Sequence, residues 1–148
     1  MEWKLYFKSR FQVAASDSVD MAQLYQFVVV DSLNLSGKSK IKHLRPLAEL
    51  RDLKFLDISQ TAIEDLSPIS NITLLESLNL SNTPTAAIKF IKYSDRLRYL
   101  DISNSQIEDI SELINLSNLQ VLKASNTSIQ SFAVLNQFKR LQVFIPLK

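Results

Sequence analysis

The sequence predicts an α/β solenoid, a coil of stacked units with a six-stranded parallel sheet on its concave side. Its convex side should carry 3₁₀ or short helical returns, and a helical cap should close the N-terminal end. Three observations point there. First, a leucine opens the string L-x-x-[LF] at Leu53, Leu75, Leu97, Leu119 and Leu141, 22 residues apart each time. A sixth copy, Val30-Asp-Ser-Leu33-Asn-Leu35, lies 23 residues ahead of Leu53. Fixed apolar positions at such a period mark identical supersecondary units, each covering its neighbour's apolar face. Second, the apolar pattern changes period inside a unit. Leu56 and Ile58 alternate as in a strand with one buried face, whereas Ile63, Leu66, Ile69 and Ile72 recur every three residues, as in a tight return. Third, seven apolar side chains cannot offset the ordering of a whole unit, so the units must stack to fold.

Taken in order, residues 1–29 fall outside the repeat and form a cap, and residues 30–148 form the repeats, which start near 30, 53, 75, 97, 119 and 141. Cap and repeats together make one domain. Asp17-Ser-Val-Asp20 is a helix start ahead of Met21, Leu24, Tyr25 and Val28, apolar at i, i+3, i+4 and i+7. Before it, Trp3, Leu5 and Phe7 alternate as in a strand, while Trp3, Phe7 and Phe11 equally suit a helix face. The first unit carries one inserted residue at Gly37-Lys38-Ser39. In the third, Ile88 and Ile91 take the inward positions and leave Phe90 and Tyr93 pointing outward between lysines. The sixth unit is a strand, Leu141-Gln-Val143-Phe144-Ile145, followed by Pro146. An uncovered strand edge is a pairing template, so Val143, Phe144 and Ile145 are candidates for contact with another copy, unless a longer protein continues the coil.

The phrases Ile63-Glu-Asp-Leu-Ser-Pro-Ile-Ser-Asn-Ile72 and Ile107-Glu-Asp-Ile-Ser-Glu-Leu-Ile-Asn-Leu116 bring the chain to a family. It resembles the leucine-rich repeat proteins, specifically the 22-residue type of bacterial internalins and of a leucine-rich regulatory subunit of protein phosphatase 1, over about residues 30–145. The resemblance implies a right-handed solenoid that binds another protein or a peptide through its concave face. One departure is systematic. Where the family usually has an asparagine that bonds adjacent turns, this chain has Thr61, Thr83, Ser105 and Thr127. Their hydroxyls are expected to form a ladder between turns in its place.

Composition excludes several classes of function. The net charge of +2 is spread among acids rather than clustered, which argues against a nucleic-acid partner. With no cysteine there is no disulfide, no thiol nucleophile and no cysteine-ligated zinc. No apolar run approaches the roughly 18 residues of a membrane span. The charged start Met1-Glu-Trp-Lys-Leu lacks the apolar core of a signal peptide, which predicts a cytoplasmic protein, or an exported one if the sequence is a trimmed mature form. Lone His43 sits on the convex side beside no acidic cluster, and Gly37 is the only glycine, so neither a triad, a metal site nor a phosphate cradle is in view. Glu64-Asp65 and Glu108-Asp109 are read as solvating the convex side. No cofactor, metal or catalytic residue is expected.

The sheet's outward columns carry what remains. The first runs Ser32, Phe55, Ser77, Tyr99, Val121, Val143, and the second Asn34, Asp57, Asn79, Asp101, Lys123, Ile145. A third, Ser36, Ser59, Ser81, Ser103, Ser125, is too regular for recognition and suits a turn. Phe55 and Tyr99 should wall a cleft over Ser77, with Asn79 separating Asp57 from Asp101. Val121 and Lys123 extend the candidate surface. Phe90 and Tyr93 form a second candidate contact on the convex side. The expected function is non-catalytic protein binding, with self-assembly through the last strand as the alternative.

Overall fold

The computed structural model describes residues 30–145, with side chains through Val143. The expected cap over 1–29 and the closing Pro146 lie outside the described residues. Six three-residue strands follow at regular intervals: β1 (Ser32–Asn34), β2 (Phe55–Asp57), β3 (Ser77–Asn79), β4 (Tyr99–Asp101), β5 (Val121–Lys123) and β6 (Val143–Ile145). They form one sheet in chain order, every neighbouring pair parallel.

The register explains why the repeat period is so strict. The central residue of each strand faces its counterpart in the next coil, so Leu33, Leu56, Leu78, Leu100 and Leu122 make one buried column. Shifting one strand by a residue would turn its leucine to solvent. Two residues further on, Leu35, Ile58, Leu80, Ile102 and Ala124 make a second buried column. The returns close the ring as the three-residue spacing requires. Arg45–Leu47, Ser67–Ile69, Lys89–Ile91, Ser111–Asn115 and Ala133–Gln137 are 3₁₀ turns. Ile63, Leu66, Ile69 and Ile72 are all buried. Pro46 and Pro68 sit in the first turns of two of these segments, where the missing N–H has no partner to lose.

Each coil leaves its strand through a residue of positive φ. Gly37 (70°), Gln60 (55°), Asn82 (56°), Asn104 (55°) and Asn126 (54°) stand at equivalent positions. There the N–H groups of Gly37, Gln60, Asn82 and Asn104 donate to the carbonyls of Ser59, Ser81, Ser103 and Ser125 of the next coil, at 2.8–3.0 Å. Glycine and asparagine enter this region at little cost, and glutamine does not. Gln60→Asn should therefore raise stability by about 0.5–1 kcal/mol, read as a higher urea midpoint. No rise would show that the Gln60 side chain compensates for its backbone.

The expected hydroxyl ladder between turns is not what forms. Thr61, Thr83, Ser105 and Thr127 donate to carbonyls three residues back in their own coil, those of Ile58, Leu80, Ile102 and Ala124, at 2.6–2.9 Å. A hydroxyl is one bond shorter than an asparagine amide, so it satisfies the nearest carbonyl of its own turn. Among the described residues, the buried side-chain links between coils come instead from unit three, where Thr85 and Ser94 interrupt apolar columns. Thr85 stands where its neighbours have Ile63 and Ile107, and its Oγ1 donates to the Ile63 carbonyl at 3.0 Å. Ser94 stands where they have Ile72 and Leu116, and its Oγ donates to the Ile72 carbonyl at 3.3 Å. Both are buried, and the bonds are what makes that burial tolerable.

Candidate functional site

The outward columns meet in register across the sheet. Phe55 is opposite Ser77, and Ser77 is opposite Tyr99. Two strand spacings, about 9.6 Å, thus separate the aromatic residues, with only a serine between them. Phe55 is 44% exposed, high for a large apolar side chain. A cavity of about 280 Å³ opens here, lined by Ser32, Asn34, Phe55, Asp57, Ser77, Asn79 and Tyr99 over Leu33 and Leu56.

The second column first serves the fold. Its asparagines and aspartates accept, through Oδ1, the backbone N–H two residues ahead: Asn34 from Ser36 (2.8 Å), Asp57 from Ser59 (2.9 Å), Asn79 from Ser81 (3.1 Å) and Asp101 from Ser103 (3.0 Å). Each closes the strand before the positive-φ turn. The signal for this was present in the Asx-x-Ser spelling that ends four strands. Lys123 has no acceptor to offer, and in its coil the Ser125 N–H reaches the Ser103 hydroxyl at 3.3 Å instead.

Three members of the columns form a cluster of their own. The Tyr99 hydroxyl donates to Asp101 Oδ2 at 3.3 Å, and Lys123 Nζ lies 5.3 Å from the Tyr99 ring centroid. The hydrogen bond with Tyr99, then the charges of Tyr99 and Asp101, hold the Lys123 ammonium above its ordinary pKa. Asp101 is 8% exposed, so it is drawn under the sheet surface rather than displayed on it. Asp57 is more accessible: its Oδ1 accepts the Ser59 N–H and hydroxyl (2.6 Å), and its Oδ2 meets the Asn79 amide at 3.3 Å. Val121 is half-buried, and Val143 is 43% exposed. By register Phe144 stands opposite Leu122, and Ile145 opposite Lys123.

On the convex side Tyr93 points outward, 61% exposed with Lys92 Nζ 5.0 Å from its ring centroid. Phe90 is only half exposed and packs against the core, with Lys89 Nζ 5.2 Å from its ring. Phe90, Ala86 and Ala87 line one open depression on this side. Ile114 in the next coil, 55% exposed, adds to this side.

The Glu-Asp pairs do more than solvate. Asp65 accepts the Ser67 N–H (2.8 Å) and hydroxyl (2.7 Å), and Asp109 does the same for Ser111 (2.8 and 2.9 Å). These bonds favour the ionised form and hold both carboxyls below their usual 3.8, chiefly through the Ser67 hydroxyl for Asp65 and the Ser111 backbone for Asp109. A depressed folded pKa means the unfolded chain takes up protons first. The associated stability is full above 3.8 and is lost as pH falls through the lower folded values. Asp65→Asn with Asp109→Asn should therefore flatten the acid limb of a stability-against-pH curve, measured by urea unfolding at a series of pH values. A limb as steep as that of the parent protein would assign it to other groups.

Among the described residues no group of three or more His, Asp and Glu side chains is placed to hold a metal ion, and no helix is long and apolar enough to cross a membrane. His43 is exposed on the convex return, and Gly37 opens the first turn.

A family model for leucine-rich repeats, of two copies, matches residues 95–137. Internalin C2 of Listeria monocytogenes is similar to the chain at 24% identity and a TM-score of 0.80, covering 90% of this chain and 57% of its own. A leucine-rich repeat protein of Leptospira interrogans is similar at 23% identity and a TM-score of 0.64, with 73% of this chain and 30% of that one covered. The functional domain of InlJ from Listeria monocytogenes, described as including a cysteine ladder, shares 19% identity and a TM-score of 0.62 over 88% of this chain and 32% of its own. This chain has no cysteine. It spans little more than half of the first of these chains and about a third of the other two. No curated protein matches the sequence. A 22-residue period wound into one parallel sheet, and superposable on an internalin over 90% of this chain, gives the chain a leucine-rich repeat fold of the internalin type.

Proposed function

We propose that the domain is a non-catalytic module that binds a protein or peptide through its concave sheet. The observation that carries this reading is the cleft between Phe55 and Tyr99. Nothing in the fold requires an aromatic ring at 55, since Ser32 and Ser77 hold the same column in the adjoining strands. A large apolar side chain left exposed beside an open cavity is the composition of a binding anchor. Six strands span five spacings, about 24 Å, so the sheet face is smaller than the roughly 800 Å² per partner of a standard interface. That size fits a peptide or a loop, with the flanking residues Lys54, Glu76 and Arg98 widening the contact for a larger partner.

The test is selection of a displayed random-peptide library on the intact protein, followed by counter-selection on the variant carrying Phe55→Ala and Tyr99→Ala. Clones retained by the parent and lost on the variant support the reading. Clones that bind both equally, or compete only with a convex-side variant at Tyr93 and Ile114, overturn it. The convex patch of Phe90 and Tyr93 would then be the binding surface.

A second reading, pairing of two copies along β6, is favoured by Val143, an exposed residue of that strand, whose outer edge no described strand covers. Sedimentation over a concentration series decides it. A monomer at every concentration removes it, and dimerisation lost with Val143→Lys supports it.

A further inference from the structure

We infer that the cleft is a receptor for one basic side chain, an arginine carried on an extended segment of the partner. This rests on the concave-face reading above and specifies its chemistry. Three observations lead there.

Of the residues that line the cavity, Asp57 alone carries a charge. That charge is not needed to close the turn. Asn34 and Asn79, on the strands to either side, close their turns through the same Oδ1 bond that Asp57 makes, so an amide would serve the backbone as well as a carboxylate. A carboxylate kept where a neutral group would do is available for an opposite charge. Its Oδ2, met by the Asn79 amide at a long 3.3 Å, retains acceptor capacity toward the cavity.

The walls suit the same ligand. Aromatic faces attract cations, and Tyr99 already does so: the Lys123 ammonium lies 5.3 Å from its ring centroid, reaching it from β5, on the far side from the cleft. Phe55 presents a second, exposed ring on the opposite wall. A planar guanidinium can lie flat against a ring while the N–H groups on its edge donate to Asp57 Oδ2, a geometry an ammonium does not offer. The other acid of this column does not compete. Asp101 is buried and already engaged by the Tyr99 hydroxyl and the Ser103 N–H.

The experiment titrates the isotopically labelled protein with three capped pentapeptides, glycine at every position except the centre, which is arginine, citrulline or leucine. Amide shifts at Phe55, Ser77 and Tyr99 report occupancy. The arginine peptide should saturate them, and the citrulline peptide, equal in shape but uncharged, should bind at least tenfold more weakly. In Asp57→Asn, whose turn is preserved by the Asn34 and Asn79 precedent, the arginine preference should disappear. Citrulline or leucine binding as tightly as arginine overturns the inference while leaving the concave-face reading intact. Absence of shifts with all three peptides overturns it too, and the library selection above then decides the wider reading by itself.

Discussion

Leu78→Ala will destabilise the domain by about 2–5 kcal/mol, seen as a lower urea midpoint with little change in slope. Leu78 is fully buried at the centre of β3, with Leu56 and Leu100 directly opposite it in the strands on either side. Truncation removes the transfer free energy of the side chain and leaves a hole. The hole cannot close, because both neighbouring strands are held at fixed spacing by the backbone ladder. A domain stable by about 5–15 kcal/mol loses a large share of its margin in this way. A change below about 1 kcal/mol would show that the leucine column is not the spine of the fold.

Phe55→Ala combined with Tyr99→Ala will produce the opposite profile. Affinity for a selected concave-face ligand should fall at least a hundredfold, about 3 kcal/mol, as for paired aromatic anchors at the centre of an interface. Unfolding should shift by only about 1 kcal/mol, because Phe55 is exposed and the Tyr99 hydroxyl's bond to Asp101 is long, at 3.3 Å. Measured by titration and by urea unfolding on the same preparation, the two variants should separate cleanly. A double variant as unstable as Leu78→Ala would show the rings to be structural.

The contrast follows from what the sequence could and could not express. Leu33, Leu56, Leu78, Leu100 and Leu122 were legible because a strict period records a strict register. The three-residue spacing from Ile63 to Ile72 likewise announced a 3₁₀ return. The turn chemistry was harder to read. Asn82, Asn104 and Asn126 look like ordinary surface residues until their positive φ is known, and Gln60 at the same position conceals the pattern. The second column looked variable, yet Asn34, Asp57, Asn79 and Asp101 share one backbone task, since an amide oxygen and a carboxylate oxygen accept the same N–H. Thr85 and Ser94 broke apolar columns, and their carbonyl partners in the preceding coil could not be found without the stacking. Phe90 was placed outward by spacing alone, because spacing does not record how far a ring leans back onto the core. The Phe55 and Tyr99 pairing was visible from the period itself, whereas the charge that the turn at Asp57 does not need emerged only beside the hydrogen bonds of its two neighbours.

The one-to-one matching of successive strands also means that the gap between the two rings is counted in whole turns of the coil. Splicing a duplicate 22-residue segment between β3 and β4 would widen it by one increment, to about 14 Å, without asking any leucine to change its neighbours in kind. The span of the grip is therefore adjustable by duplication or deletion, in steps, while the scaffold beneath it remains the same.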